Sequence, residues 1–288
     1  MILRRRLVLV LALLLAGPLP QEARAQQPSS DVQQQQQQSE ALAQDPLRLA
    51  TEVGRYLFAY DEAANRAATM LLSENIRTER VEASIAQQHE DGHWTVGFGR
   101  LTGEGGFRLT HEVVMNDERL VKEVRTDVGE RVPPNSYYAR AARAQQLARD
   151  GFDGEHGPYN LLVLPGGSEA GRMTVYALPA QTDQDAYRLG GDYRFEVDPS
   201  AEEVVSREPL HRQYYEVGTL PEGAAGSAHE ATRPVETDVL FAAVRRPKAP
   251  HFVMTEGRTF RIAPDGAITT VEPGTVQQRG DVTVLGES

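Results

Sequence analysis

The sequence predicts an α+β protein, in which a long N-terminal helix packs on an antiparallel sheet and a short second helix leads into further antiparallel strands and hairpins. Apolar residues follow helical spacing over residues 46–71, and residues 138–149 give the second helix. Residues 94–99 and 193–197 alternate in the direction of their side chains, which is typical of strands. The connections between predicted strands are too short for the crossovers that parallel strands require.

The N-terminus has the pattern of a secretory signal peptide. Arg4 to Arg6 form a positive region, Leu7 to Ala16 a short apolar run, and Ala23 to Ala25 a small-x-small cleavage site. The apolar run is roughly half of the ~20 residues needed to span a bilayer, so cleavage after Ala25 is favoured over a retained anchor. We therefore expect a periplasmic or extracellular protein.

Composition excludes several classes of function. The chain has no cysteine, which rules out thiol nucleophiles and cysteine zinc sites and leaves stability to core packing. Its formal net charge is −11, with no dense basic face. Such a surface repels phosphate backbones and anionic lipids, so neither nucleic acid nor a membrane is an expected partner.

The first helix begins after a polar segment. Residues 26–44 are rich in glutamine and have little to bury, which predicts a disordered tether. Asp45 can cap a helix whose first position is Pro46. Residues 76–88 are expected either to continue that helix or to form a second one beside it, ending at Asp91-Gly92. The apolar stripe consists of Leu49, Val53, Leu57, Tyr60, Ala64, Ala67 and Leu71.

Strands are predicted on both sides of a proline-rich break at Pro133-Pro134. The sequence thus divides into a helix plus meander at 45–132, a helix plus strands at 133–272 and a polar tail at 273–288; the first two parts could also form one continuous domain. The repeated helix-then-strands order leaves a duplication of two halves open. The predicted strands cover residues 94–99, 107–115, 120–125, 159–164, 173–178, 192–198, 204–207, 237–244, 252–255, 259–263 and 267–271.

One five-residue motif suggests metal chemistry. His89-Glu90-Asp91-Gly92-His93 resembles the signature of the zincin peptidases, which implies zinc bound by His89 and His93 with Glu90 as general base. The signature requires a helix through all five positions. Asp91-Gly92 is a turn pair and a strand follows at once, so a solvated connection is the favoured interpretation.

A looser group of histidines lies in the last third of the chain. His211, His229 and His251 fall near predicted strand ends, and Asp238 could orient one of the imidazoles. Loops at strand ends commonly carry binding residues. These four residues form the candidate ligand or partner site, but a surface or packing role is the favoured interpretation for them.

The sequence favours an exported, non-catalytic binding or interaction module whose partner is a protein or a small molecule. The alternative is a secreted hydrolase, either zinc-dependent through His89, Glu90 and His93 or metal-free around His229, Asp238 and His251. No catalytic residue or cofactor is assigned. A concave pocket that gathers titratable groups, or an exposed apolar patch, would distinguish a chemical site from a partner surface.

Overall fold

The computed structural model describes residues 45–152, 154, 156–165, 171–181, 187–217, 225–228, 232–272, 276–279 and 282–285. The predicted signal peptide and glutamine-rich tether lie outside these residues. Those from residue 45 onward belong to one compact unit. The fold is α+β, with three helices and several antiparallel sheets among the described residues, and the long first helix packs on a sheet.

Helix α1 spans Pro46–Ser73. The side chain of Asp45 accepts hydrogen bonds from the amides of Leu47 and Arg48, each at 3.2 Å, so the predicted cap is confirmed. The helix ends where Asn75 adopts a φ of 55° and the Ile76 amide donates to the Leu71 carbonyl. Helical structure was predicted over residues 76–88. That prediction is wrong, because this left-handed C-terminus stops the helix and residues 83–88 form a strand instead.

The first sheet is an antiparallel meander. It contains β1 (Ala83–Gln88), β2 (Trp94–Leu101), β3 (Phe107–Met115), β4 (Val121–Arg125) and β5 (Glu130–Val132). The order is β1-β2-β3-β4, and β5 pairs with the start of β3. Trp94 and Val96 are fully buried beneath α1 with Leu57, which places the main core between the helix and this sheet.

Helix α2 (Tyr137–Asp150) precedes the second sheet and contacts strands of both sheets. The next strands are β6 (Tyr159–Leu164), β7 (Met173–Pro179), β8 (Tyr187–Gly190), β9 (Tyr193–Val197), β10 (Val204–Pro209) and β11 (Tyr214–Val217). The second sheet has the order β10-β9-β7-β6, while β8 and β11 form a separate two-stranded sheet.

Side chains bridge the seam between the two large sheets. Tyr137 donates to the Val163 carbonyl at 3.0 Å and the Ala86 carbonyl at 3.4 Å. Gln145 donates to the Leu161 carbonyl at 2.8 Å and the Ser84 carbonyl at 3.3 Å. Residues of α2 therefore satisfy the outer carbonyls of β1 and β6, and strand pairing is not needed there.

Helix α3 spans Glu236–Val244, where the sequence predicted a strand. Short apolar runs do not distinguish a buried strand from a buried helix, and this run is buried on nearly all sides. The Asp238 side chain accepts from the Val235 amide at 2.8 Å and so caps the helix. Helix α3 lies so close to α1 that a Cβ at Gly54 would stand 2.5 Å from the Glu236 carbonyl oxygen.

The last strands form a four-stranded and a two-stranded sheet. In the first, β12 (Ala225–Ala228) pairs parallel with β13 (His251–Thr255), and β14 (Arg258–Ile262) and β15 (Ile268–Val271) follow antiparallel. In the predicted polar tail, β16 (Val276–Arg279) and β17 (Val282–Leu285) pair as a hairpin. Among the described helices, none is both long enough and apolar enough to cross a lipid bilayer.

Candidate functional site

A cavity of about 520 Å³ lies where α1, α3 and the edges of several strands meet. Its lining includes the apolar residues Leu178, Leu240 and Phe241 and the polar residues Asp61 and His211. We call it the His211 cavity. The chain positions that line it run from residue 61 to residue 251, so tertiary folding assembles the wall from distant segments.

The polar part of this wall contains a cluster in which His211 lies between two carboxylates. Its Nδ1 is 2.6 Å from Asp192 Oδ1, and its Nε2 is 3.3 Å from Asp238 Oδ1. Both aspartates are only 3% exposed. Asp192 lies between β8 and β9, His211 follows β10, and Asp238 belongs to the first turn of α3. We call these three residues the Asp-His-Asp cluster.

Electrostatics within this cluster favour the charged imidazolium. Burial alone would lower the pKa of His211, but the nearby charges of Asp192 and Asp238 outweigh it and hold the pKa well above the ordinary value of 6.5. One buried oxygen, Asp192 Oδ2, has no hydrogen-bond partner within the described part of the chain. This oxygen has almost no solvent-accessible surface, although Asp192 is one of the residues that line the cavity.

Helix α3 is held in place by a second charged network. Glu236 accepts from Tyr176 at 2.8 Å and from Arg194 at 2.6 Å, and Arg194 also pairs with Glu208. Burial raises the pKa of Tyr176, and the neighbouring carboxylate raises it further. The network ties the first turn of α3 to the second sheet, and this turn carries Asp238.

A third carboxylate of the cavity, Asp61, comes from α1. It accepts from Asn65 Nδ2 at 2.9 Å, one helical turn away. Burial raises the pKa of Asp61 from 3.8 to about 6; the bond from Asn65 opposes the rise and the charge of Glu62 adds to it. The sequence analysis missed this residue. A signal existed, since Asp61 lies four residues after Leu57 and three before Ala64, inside the apolar stripe of α1.

The predicted histidine group is partly brought together. His211 and Asp238 are in contact, and His251 lines the same cavity with its ring edge-on to Phe241, at 5.0 Å between centroids. His229 lies outside the described residues. Asp192, the closer partner of His211, was not predicted, because the sequence places no pattern around it.

The zincin-like motif forms a hairpin turn between β1 and β2. The His89 amide donates to the His93 carbonyl at 2.9 Å, and Gly92 adopts a φ of 87°. The turn expected at Asp91-Gly92 is present, but it joins two strands and does not end a helix. Glu90 is one of the turn residues.

The rings of His89 and His93 stack at 4.0 Å with only 6° between their planes. Imidazole binds a metal in its ring plane, so two stacked, parallel rings cannot direct nitrogens at one ion. His89 Nε2 lies 2.9 Å from Thr95 Oγ1, and His93 Nδ1 contacts Asp91. Within the described ranges, no three His, Asp or Glu side chains are grouped so that they could hold a metal ion.

Comparison with protein-family models, curated proteins and solved structures found no match. No residue role is therefore transferred from a relative. The site is a cavity lined by apolar side chains, the Asp-His-Asp cluster and Asp61.

Proposed function

We propose that this chain is an exported small-molecule-binding protein whose ligand site is the His211 cavity. The observation that carries the proposal is the cavity itself, about 520 Å³ in volume, with buried polar groups converging on one side. Ligand sites are typically concavities of ~300–1,000 Å³ that are mostly apolar and contain a few well-placed polar groups.

The mixed lining of the cavity suits an amphipathic ligand. Leu240 and Phe241 of α3 and Leu178 of β7 supply an apolar surface. Asp61 and Asp192 supply carboxylates that can accept hydrogen bonds from a ligand donor. The lining therefore favours a ligand that has both an apolar body and a hydrogen-bond donor.

The same geometry argues against His211 as the general base of a metal-free hydrolase. A general base needs a free imidazole nitrogen, but in His211 one nitrogen contacts Asp192 and the other faces Asp238. Thr237 Oγ1 is 3.5 Å from His211 Nδ1, the nitrogen already engaged by Asp192. An imidazolium held in this way positions charge and does not accept a proton from a nucleophile.

Export is part of this proposal and rests on the pattern of residues 1–25. Expression with the native N-terminus, followed by cell fractionation and N-terminal sequencing, tests it. We expect the chain outside the cytoplasm and beginning at Gln26. Recovery from the cytoplasm with Met1 retained would contradict export and leave the binding proposal standing.

Binding is tested by native mass spectrometry of the protein purified from its own cells, with Leu178→Trp as a variant that fills the cavity. We expect a bound small molecule in the native chain and its loss in the variant. Leu49→Trp is the matched control, because Leu49 is exposed on α1 and does not line the cavity. A ligand retained equally by both variants would refute the proposed site.

A further inference from the structure

We infer that the ligand of the His211 cavity is a cationic amine whose ammonium group docks on Asp61 and whose apolar body packs against α3. This inference rests on the proposed function and adds the chemical class of the ligand. The ligand class follows from the balance of charge in the cavity wall, from the hydrogen-bonding partners of Asp61 and from the apolar side chains that also line the cavity.

The cavity wall contains more negative than positive charge. Asp61, Asp192 and Asp238 face it, and the His211 imidazolium balances one of the three. Of the two lining arginines, Arg188 has its Nε 3.6 Å from Glu216, and Arg212 is exposed to solvent. One ligand cation would reduce this excess, and buried carboxylates are stable when a cation pairs with them.

Asp61 is the carboxylate that fits this role, because its hydrogen-bonding partner is a neutral amide. The bond from Asn65 does not compensate the charge, and burial keeps the pKa of Asp61 at about 6. A ligand ammonium within hydrogen-bonding distance would supply the missing charge. It would also lower that pKa, since an opposite charge favours the ionised carboxylate.

The adjacent residue of α1 shows the compensated case. Glu62 accepts from Arg66 at 2.7 Å and from Arg119 at 2.7 Å. Burial opposes its ionisation, but the bonds and charges of these two arginines outweigh burial and lower the pKa of Glu62. The protein thus supplies cations to Glu62 and none to Asp61 among the described contacts, and Asp61 is the one that faces the His211 cavity.

The apolar residues that line the cavity offer a surface for the apolar body of the ligand. Leu240, Phe241 and Val244 lie on consecutive turns of α3 and all line the cavity. An aliphatic or aromatic body could pack on this face while the ammonium reaches α1. The aromatic ring of Phe241 is also a favourable surface for a cation.

The test uses three probes that share a phenyl ring and differ in charge: 2-phenylethylamine, 2-phenylethanol and phenylacetate. Isothermal titration calorimetry at pH 7.5 should show at least tenfold tighter binding of the amine than of the alcohol, and none of the acid. Asp61→Asn should weaken amine binding at least tenfold and leave the alcohol unchanged. Glu52→Gln, a matched change on the exposed face of the same helix, should alter none of the three.

Carbon-13 NMR of the Asp61 carboxyl group gives an independent readout. Its titration should have a midpoint near pH 6 in the free protein and a lower midpoint with 2-phenylethylamine present. An unchanged midpoint, equal binding of the alcohol or the acid, no binding of the amine, or amine binding unaffected by Asp61→Asn would each overturn the inference.

The proposed function can survive that result. A ligand recovered from the purified protein that carries no cationic group, and is lost in Leu178→Trp, would overturn the amine inference alone. Amine binding that persists in Leu178→Trp would place the amine outside the His211 cavity and contradict the inference as well.

Discussion

Replacing Asp61 with asparagine should make the free protein more stable at neutral pH. The carboxyl group has a pKa of about 6 in the folded chain, against 3.8 when unperturbed. A difference of about two pKa units corresponds to about 3 kcal/mol, which is an upper bound because Asp61 is only partly shielded from water. Asparagine keeps an oxygen that can accept the bond from Asn65 and removes the charge. We expect Asp61→Asn to be about 1–3 kcal/mol more stable at pH 7.5.

The sign of the pH dependence follows from linkage. Between pH 4 and pH 6 the unfolded chain has released the proton of Asp61 while the folded chain retains it, so the native protein loses stability as pH rises through this window. Asp61→Asn lacks this loss. The free-energy difference between the two proteins should therefore be near zero at pH 3.5, grow up to pH 6 and stay constant above pH 7.

Urea denaturation at a series of pH values measures this difference directly, because all other titrating groups are common to both proteins. Glu62→Gln provides the control of opposite sign. Because its pKa is lowered in the folded chain, the Glu62 carboxylate stabilises the fold at pH values above its ordinary pKa of 4.5. Loss of this carboxylate should therefore destabilise the protein at pH 7.5. The reasoning fails if Asp61→Asn is less stable than the native protein at pH 7.5, or if the difference does not change with pH.

Three further predictions concern the Asp-His-Asp cluster and helix packing. His211→Ala should cost about 3–5 kcal/mol in urea denaturation because it removes the positive charge between two buried carboxylates, and adding Asp192→Asn and Asp238→Asn should recover part of that loss; no recovery would mean that the charges are not the cause. Nitrogen-15 NMR should find both ring nitrogens of His211 protonated at pH 7.5, and a neutral ring at that pH would contradict the prediction. The stabilising effect of the protonated ring should be fully present below pH 6.5 and should disappear as pH rises through the raised pKa of His211 in the folded chain. Gly54→Ala should lower the unfolding free energy by about 1–3 kcal/mol and weaken amine binding, since its Cβ would overlap the Glu236 carbonyl; wild-type stability and affinity would show that the helices can separate without cost.

Much of the fold follows from local sequence pattern. The strands predicted at 107–115 and 159–164 match β3 and β6 in their observed boundaries, and the cap at Asp45 located the start of α1. The errors came from segments without a clear period. Residues 83–88 contain only Ala83, Ile85 and Ala86 as apolar residues, which fit a helix as well as a strand, and pairing with β2 decides between them. Within 237–244, residues 239–244 are all apolar, and burial there favoured a helix.

The candidate site was less predictable, because contact across long sequence separations creates it. Asp192 lies 19 residues before His211, and Asp238 lies 27 residues after it. Grouping the late histidines found His211, Asp238 and His251 but not the nearer carboxylate. Asp61 was the one missed residue with a local signal, since a charged side chain within the apolar stripe of a helix must face something other than core.

The side-chain bridges between β1 and β6 limit how these two outer strands could recruit another molecule. An outer strand with open carbonyls and amides is a template to which another molecule can add a strand. Tyr137 and Gln145 already donate to outward-facing carbonyls of β1 and β6. These two sheet edges therefore offer fewer free acceptors to an incoming strand.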